Sequence, residues 1–444
     1  MHERFRVEPE GTLFVVLSFE GPDVYSQAGG LGVRVKELSR ALAQDGHETH
    51  LYFVGDPSLP GSRSLLGGRL VLHRWQQWLS RRFPGGVYEG EEAKVREWNA
   101  SLPAHLVDHV LEPALRRGLN AVVMGEEWHT TWSMDLVDGL LRERGIRERA
   151  AFLWNANNVF GFERVDWNRL GEVATVTTVS RYMKQLMRDW GQHPVVIPNG
   201  IPRRALRRAP AAARRAVREA AGKDLFCFKI GRFDPGKRWL MAIEALADLR
   251  DAGVSTRLLM RGGREPHGAE VMAAARRRRL RVADVPAPED EVGLVGLLRG
   301  RRDADVLNLV TFLPERLLPT IYGAADAVLA NSGHEPFGLV GLEVMAAGGV
   351  AVTGSTGEDY AEALRNAVVI DTDDPGELAA ALRLLLERPA LGEAIRARGR
   401  RTARDYLWGG VLDQLRLRAE YAGDVHSVRE GEGRQGTGSR PPWL

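Results

Sequence analysis

The chain has a single cysteine in 444 residues, almost no net charge and no apolar run long enough to cross a bilayer. With Cys227 alone there can be no internal disulfide, which suits a reducing compartment. No segment approaches ~18 uninterrupted apolar residues, and no long apolar stretch follows positive charge near the start. The expectation is a cytoplasmic protein with at most peripheral membrane contact. The 61 basic residues nearly balance 58 acidic ones, leaving +3; nucleic-acid binding usually shows a larger basic excess. The run "RRRRLR" at 276–281 reads as a solvated helix face. Two phosphate and metal signatures are missing as well. The dinucleotide fingerprint G-x-G-x-x-G does not occur in the first glycine-rich loop, and no Asp-x-Asp closes a strand. "DAD" at 303–305 has the letters, but it follows "RGRR" in a polar loop and is not read as a metal site.

What is present is an ordinary globular composition, 44% apolar and 27% charged, in a chain too long for one core. "LFVVLSF" (13–19) reads as a strand. Leu31, Val35, Leu38 and Leu42 then recur at helical spacing, Gly46 stops the helix, and "THLYFV" (49–54) resumes a strand. Further strands are expected at "AVVM" (121), "AFLW" (151), "ATVTTVS" (174) and "VVIP" (195). A second alternation starts at "LFCFKIGRF" (225–233) and runs through "TRLLMRGG", "VTFLP", "AVLANS", "VAVTGS" and "AVVI". Alternating strands and helices predict α/β architecture with doubly wound parallel sheets. Residues 1–200 are taken as the first domain and 201–424 as the second, with 201–223 as the connection and the last helices free to pack back on the first. The polar, glycine-rich segment 425–444 reads as a disordered tail.

Three stretches carry chemistry. In "YSQAGGLGVRVKEL", from Tyr25, Gly29, Gly30 and Gly32 stand where the loop becomes a helix. Helix-start amides point outward there and suit phosphate. In "NSGHEPFGLVGLEVMAAGG" (331–349), Glu335 precedes a helix predicted to start at Pro336. Glu343, eight residues on, is then on about the same face, and Phe337, Gly338 and Leu339 offer first-turn amides. Carboxylates suit sugar hydroxyls; free amides suit phosphate. In "GRFDPGK", Arg232 and Lys237 flank a turn after a strand, where two cations could grip a diphosphate.

The Glu-x7-Glu spacing, "GRFDPGK" ahead of it, "PNGI" at Pro198 and the "GGLG" loop together resemble retaining nucleotide-sugar glycosyltransferases of the GT-B fold, those of glycosyltransferase family 4 and the related glycogen and starch synthases. The resemblance spans the chain to about residue 420, with the motifs in the family's order. It implies two Rossmann-like domains facing a central cleft. It also implies transfer of a hexosyl group, glucosyl first, from a nucleoside-diphosphate sugar to a sugar or other hydroxyl acceptor. Arg232 and Lys237 match the pair that neutralises the leaving diphosphate, Glu335 the carboxylate near the donor sugar, and Glu343 the ribose-binding one. Gly30 and Leu31 match the loop whose amides approach the reacting centre. "GEEWHTTW" resembles the synthases' His-Asp-Trp-His segment, aligning His129 with a histidine that contacts the donor sugar. No metal or other cofactor is implied, because Arg232 and Lys237 supply the cations.

The chain departs from the synthases at Gln27, where they have lysine, so a glycogen synthase proper is not the expectation. Seven of eleven tryptophans fall between Trp75 and Trp167; large aromatics of this kind are usually core. "WNANNVFGFERVDW" is the preferred acceptor wall, since Asn155, Asn157 and Asn158 bring several amides to one strand end. His47, in "DGHETH", reads as structural. A disaccharide phosphorylase or synthase of the same fold, a sugar-nucleotide 2-epimerase and a non-catalytic nucleotide-sugar binder are the alternatives. The paired glutamates with the basic pair speak against the last.

Overall fold

Two separate sheets organise residues 4–433, which the computed structural model of the chain describes. The chain falls into two units. One comprises the chain up to Gly200 together with the segment from Trp408; the other is Ile201–Leu407.

The first unit holds eight strands: β1 (Thr12–Leu17), β2 (Glu48–Val54), β3 (Ser62–Leu65), β4 (Leu70–Trp75), β5 (Asn120–Glu126), β6 (Ala150–Ala156), β7 (Thr175–Thr178) and β8 (Val195–Val196), in the order β3-β4-β2-β1-β5-β6-β7-β8. All pairs are parallel except the β3–β4 edge hairpin. Every residue of β1 is buried, as expected of a central strand covered on both faces. The predicted stripe Leu31, Val35, Leu38 and Leu42 packs onto this sheet from the helix Gly30–Gln44. The hairpin was not expected from the sequence. Its outer strand is largely exposed and polar, so no apolar run marks it.

The second unit has seven strands: β9 (Leu225–Ile230), β10 (Thr256–Arg261), β11 (Val282–Val285), β12 (Val306–Leu309), β13 (Ala327–Ala330), β14 (Ala351–Thr353) and β15 (Val368–Val369), ordered β11-β12-β10-β9-β13-β14-β15 and wholly parallel. Its core joins β9, β10 and β14 to the helix Trp239–Asp251 and to Leu378 and Leu382. Here one expectation is corrected: "VTFLP" is not a strand, since β12 ends at Leu309, just before it. Residues 201–223, read as the connection, pack into this unit. The helix Ala211–Ala221 buries Val217, Ala220 and Ala221, and Arg218 ties it to Asp326 at 3.0 Å. The edge strand β11, partly exposed, was not foreseen.

The last helix, Trp408–Gly433, belongs to the first unit. Val411, Leu412, Leu415, Ala419 and Ala422 join the same core as Leu31 and Val35, and the Phe5 amide donates to Asp424 at 2.9 Å. Residues 425–433 therefore continue a helix, contrary to the disordered tail read there, and the rest of that tail lies outside the described residues. No helix among the described residues is long and apolar enough to cross a membrane.

Candidate active site

In each unit the candidate residues gather at the carboxyl ends of the strands, where open α/β sheets bind ligands. After β1, Glu20 is buried, and its Oε2 accepts hydrogen bonds from the amides of Ala28 (3.2 Å), Gly29 (2.9 Å) and Gly32 (3.0 Å). The Tyr88 hydroxyl donates to its other oxygen at 2.9 Å. A carboxylate of the chain thus occupies much of the glycine-rich helix start, where anions are stabilised. Among the described residues, no bond engages the amides of Gly30 and Leu31. The glycines differ in what demands them. A β-carbon at Gly32 would stand 2.9 Å from the Gly21 carbonyl oxygen, whereas one at Gly30 would meet nothing within 4 Å.

His129 follows β5 in the short turn Trp128–Thr130. Its ring lies between Phe19 and Trp128, with centroids at 4.2 and 4.1 Å, and its Nε2 is 2.8 Å from Glu91. Burial holds the ring below the ordinary imidazole range, against the pull of Glu91. Nδ1 is buried with no partner among the described residues. The ring centroid of Tyr88, which bonds Glu20, is 5.8 Å away, so His129 and the glycine loop share one neighbourhood. His47 is fully buried beside Phe14, a core position.

Residues Asn155, Asn157 and Asn158 do not form a wall of free amides. Asn155 and Asn157 both donate to Glu126 Oε2, at 2.8 and 2.7 Å, and Asn158 accepts from the Phe160 amide at 2.7 Å. Arg34 pairs with Glu126 at 3.1 Å and also reaches Asn199. Asn155 and Asn157 are consumed because Glu126 and Arg34 are both buried and need several partners each. Next to Glu126, Glu127 is equally hidden. Burial pushes its carboxyl up to about 8, with Glu126 adding to the shift and Asn157 opposing it. Its backbone sits at φ 65°, ψ 166°, a region that costs most residues about 1–3 kcal/mol.

In the second unit, β9 leads into Arg232, which is exposed, and into the turn Pro235–Lys237, closed by Asp234 accepting from the Gly236 amide. Lys237 donates to Glu335 on the loop after β13. The Gly333 amide donates to the Gly236 carbonyl at 2.8 Å, joining the same two loops. Beneath them Lys229 is fully buried within β9. It donates to Leu329 O (3.0 Å) and Asn331 Oδ1 (2.6 Å), and burial holds it well below its usual range.

The helix expected from Pro336 begins instead at Leu339. Gly338 caps it at φ 77°, a conformation favouring glycine, and the Tyr360 hydroxyl donates to its carbonyl. The first-turn amides are therefore those from Leu339 onward rather than from Phe337, whose side chain is core against Tyr360 and Tyr406. Glu343 lies on that helix, Leu339–Ala347, but Glu335 precedes it, so the two do not share a helix face. Asp305 accepts from the Arg281 amide at 2.9 Å and pairs with Lys223 at 3.4 Å, which makes it a structural acid. Lys229, Glu20 and Glu127 were missed in the sequence. Only Lys229 left a signal, a lysine inside an apolar run, since buried lysines are rare without partners.

Comparison with known proteins agrees with this layout. A model described as Glycosyltransferase Family 4 matches residues 28–204, and one described as Glycosyl transferases group 1 matches 212–402. The D-inositol 3-phosphate glycosyltransferase of Geodermatophilus obscurus is 26% identical over 437 residues, covering 94% of this chain and 90% of that protein. A GDP-mannose-dependent alpha-(1-6)-phosphatidylinositol dimannoside mannosyltransferase of Mycobacterium tuberculosis is 25% identical, covering 88% and 92%. Among solved structures, the sucrose-phosphate synthase of Thermosynechococcus elongatus superposes with a TM-score of 0.63 at 20% identity, over 91% of this chain and 97% of that one. The catalytic domain of starch synthase IV from Arabidopsis thaliana, bound to ADP and acarbose, gives 0.64 at 17% identity, over 93% and 99%. With family models over both units and relatives aligned along nearly the full length, the chain belongs to the GT-B glycosyltransferases of family 4.

Proposed function

We propose that the enzyme moves a hexosyl group, glucosyl first, from a nucleoside-diphosphate sugar to a hydroxyl of a sugar or other polyol, with retention at the anomeric carbon. The observation that carries this reading is the arrangement in the second unit: Lys237 held against Glu335, with Arg232 at the start of the same turn making no side-chain bond to a described residue. Two cations at one turn match the charge that grows on a departing diphosphate, and preorganised charge of this kind is the main catalytic device in such sites. Glu335, already fixed beside Lys237, is assigned to a donor-sugar hydroxyl and Glu343 to the ribose. The leaving phosphate oxygen takes the acceptor proton, so no side-chain base is invoked. In the first unit the same reading assigns the open amides of Gly30 and Leu31, and His129, to ligand contact. The cations come from the chain, so no metal or other cofactor is needed, and the reaction is placed in the cytoplasm. Relatives named for an inositol phosphate and a phosphatidylinositol mannoside support a hydroxyl acceptor. The test is incubation with UDP-, ADP- and GDP-sugars and a panel of sugar and inositol phosphates, with NMR of the product's anomeric proton. Inversion, or phosphorolysis without transfer, would sink the proposal.

A further inference from the structure

The segment after β14 brings a third carboxyl group to the donor-side loops. Glu358 is buried; its Oε2 accepts from the Thr356 amide at 3.2 Å and lies 3.4 Å from the Thr356 hydroxyl. Its Oε1 is buried with no partner among the described residues. Thr356 in turn grips the backbone of Glu335. The Glu335 amide donates to the Thr356 hydroxyl at 2.9 Å, and that hydroxyl is 3.3 Å from the Glu335 carbonyl oxygen. The Gly357 amide donates to the same carbonyl at 2.8 Å. A β-carbon built at Gly338 would stand 2.6 Å from Glu358 Cγ, so the side chain lies against the start of the helix Leu339–Ala347.

We propose that Glu358 is a positioning residue of the donor site: it fixes Glu335 through Thr356 and carries a proton when an anionic donor is bound. The proposal rests on reading these loops as the donor site. The charged groups around Glu358 make the argument. Glu335 faces it from the loop after β13, and the Lys237 cation is spent on Glu335. Tyr360, on its own segment, gives its hydroxyl to Gly338, and Tyr406 packs on Tyr360. Among the described residues no cation is paired with Glu358. Burial first, then Glu335, push its carboxyl up to about 7, with the Thr356 bonds opposing. An oxygen with no donor is tolerated on a neutral acid far better than on an anion. A diphosphate arriving at these loops adds negative charge nearby, which favours the neutral form further. Binding and protonation are then linked.

The test is calorimetry of UDP-glucose, ADP-glucose and GDP-mannose at pH 7.5, in buffers of different ionisation enthalpy. Such diesters have no second phosphate ionisation near pH ~6 to confuse the proton count. Wild type should take up more than about half a proton per donor bound, and Glu358→Gln less than about a quarter of that, with affinity within roughly threefold. Equal uptake in both proteins overturns the inference. Absence of binding by any of the three probes to wild type overturns the donor-site reading itself, a separate result. Thr356→Val should lower kcat yet still show the uptake that Glu358→Gln loses, because it cuts the link to Glu335 and keeps the acid; unchanged kcat removes the positioning role. If Glu358→Gln melts below assay temperature, wild-type donor affinity carries the test. It should fall roughly 10-fold or more between pH 6.5 and 8.5, and a flat profile overturns the proposal.

Discussion

Lys237 and Glu335, 98 residues apart, form a direct ion pair between the loop after β9 and the loop after β13. The backbone bond from Gly333 to Gly236 spans the same two loops, and Lys229, within β9, bonds Asn331 below them. The pair is partly exposed, at 31% and 20% of the two side chains, so it contributes at most about 1 kcal/mol. A diphosphate can take Lys237 over at little cost.

Removing either cation should therefore harm turnover much more than folding. Lys237→Ala or Arg232→Ala is expected to lower kcat by roughly 100-fold or more, the scale for losing one preorganised donor to a transition state. Melting temperature should move by no more than about 2 °C, as surface changes usually do little. Turnover within threefold of wild type for both variants would take them out of the reaction.

If chain-borne cations suffice, chelation should be harmless. Activity is expected to survive dialysis against EDTA unchanged. Loss of activity that Mg²⁺ or Mn²⁺ restores would show that Arg232 and Lys237 are not enough.

Glu127 makes a pH prediction. Its folded-state value, about 8, lies above that of an unfolded glutamate. The folded protein then holds the extra proton between those two values, and stability falls as pH rises through that window. Glu127→Gln removes the titration and keeps the shape. It should melt higher than wild type at pH 8.5 and close to it at pH 5, which differential scanning fluorimetry can read. A constant difference across pH would mean Glu127 is ionised throughout.

The sheets were legible because their central strands are continuous apolar runs between helices with a clear stripe, such as Leu31, Val35, Leu38 and Leu42. What escaped was decided by tertiary partners. The edge strand β3 is exposed, so its sequence has no burial pattern to show. The start of the helix at Leu339 was misplaced because Pro336 is a good first residue locally, while Gly338 and Tyr360 settle the matter from outside. Asn155 and Asn157 looked available because nothing in their own segment reveals Arg34 and Glu126, which claim them. Glu358 stands next to Asp359 in a polar stretch, and only folding links it through Thr356 to Glu335.

Glu343 is open to a double comparison. Its assigned ribose contact is a charged hydrogen bond, worth about 1.5–3 kcal/mol. Glu343→Ala should then weaken nucleotide binding by roughly 10- to 150-fold, yet matter little for an analogue lacking the 2′ and 3′ hydroxyls. Equal losses for both ligands, with unchanged melting, would show that the carboxylate does not hold ribose.

The glycine loop gives the sharpest separation of ligand from fold. Gly32 is required by the protein itself, because a β-carbon there would press on the Gly21 carbonyl oxygen at 2.9 Å. Gly30 is not, since its β-carbon would enter space with no protein atom within 4 Å. It is also the first residue of the helix Gly30–Gln44, where alanine is the better helix former. Gly30→Ala should accordingly melt at or slightly above wild type, by up to about 1 kcal/mol of added stability. Its methyl group, however, would stand beside the amides of Gly30 and Leu31 that no described residue uses. If a sugar-phosphate passes against that backbone, donor turnover should fall by roughly 10-fold or more, since a displacement of about 1 Å in a reacting geometry is costly. Gly32→Ala should show the opposite order, a lower melting temperature first and activity lost with it. Should Gly30→Ala keep both stability and turnover, the bare backbone at the start of this helix serves no ligand.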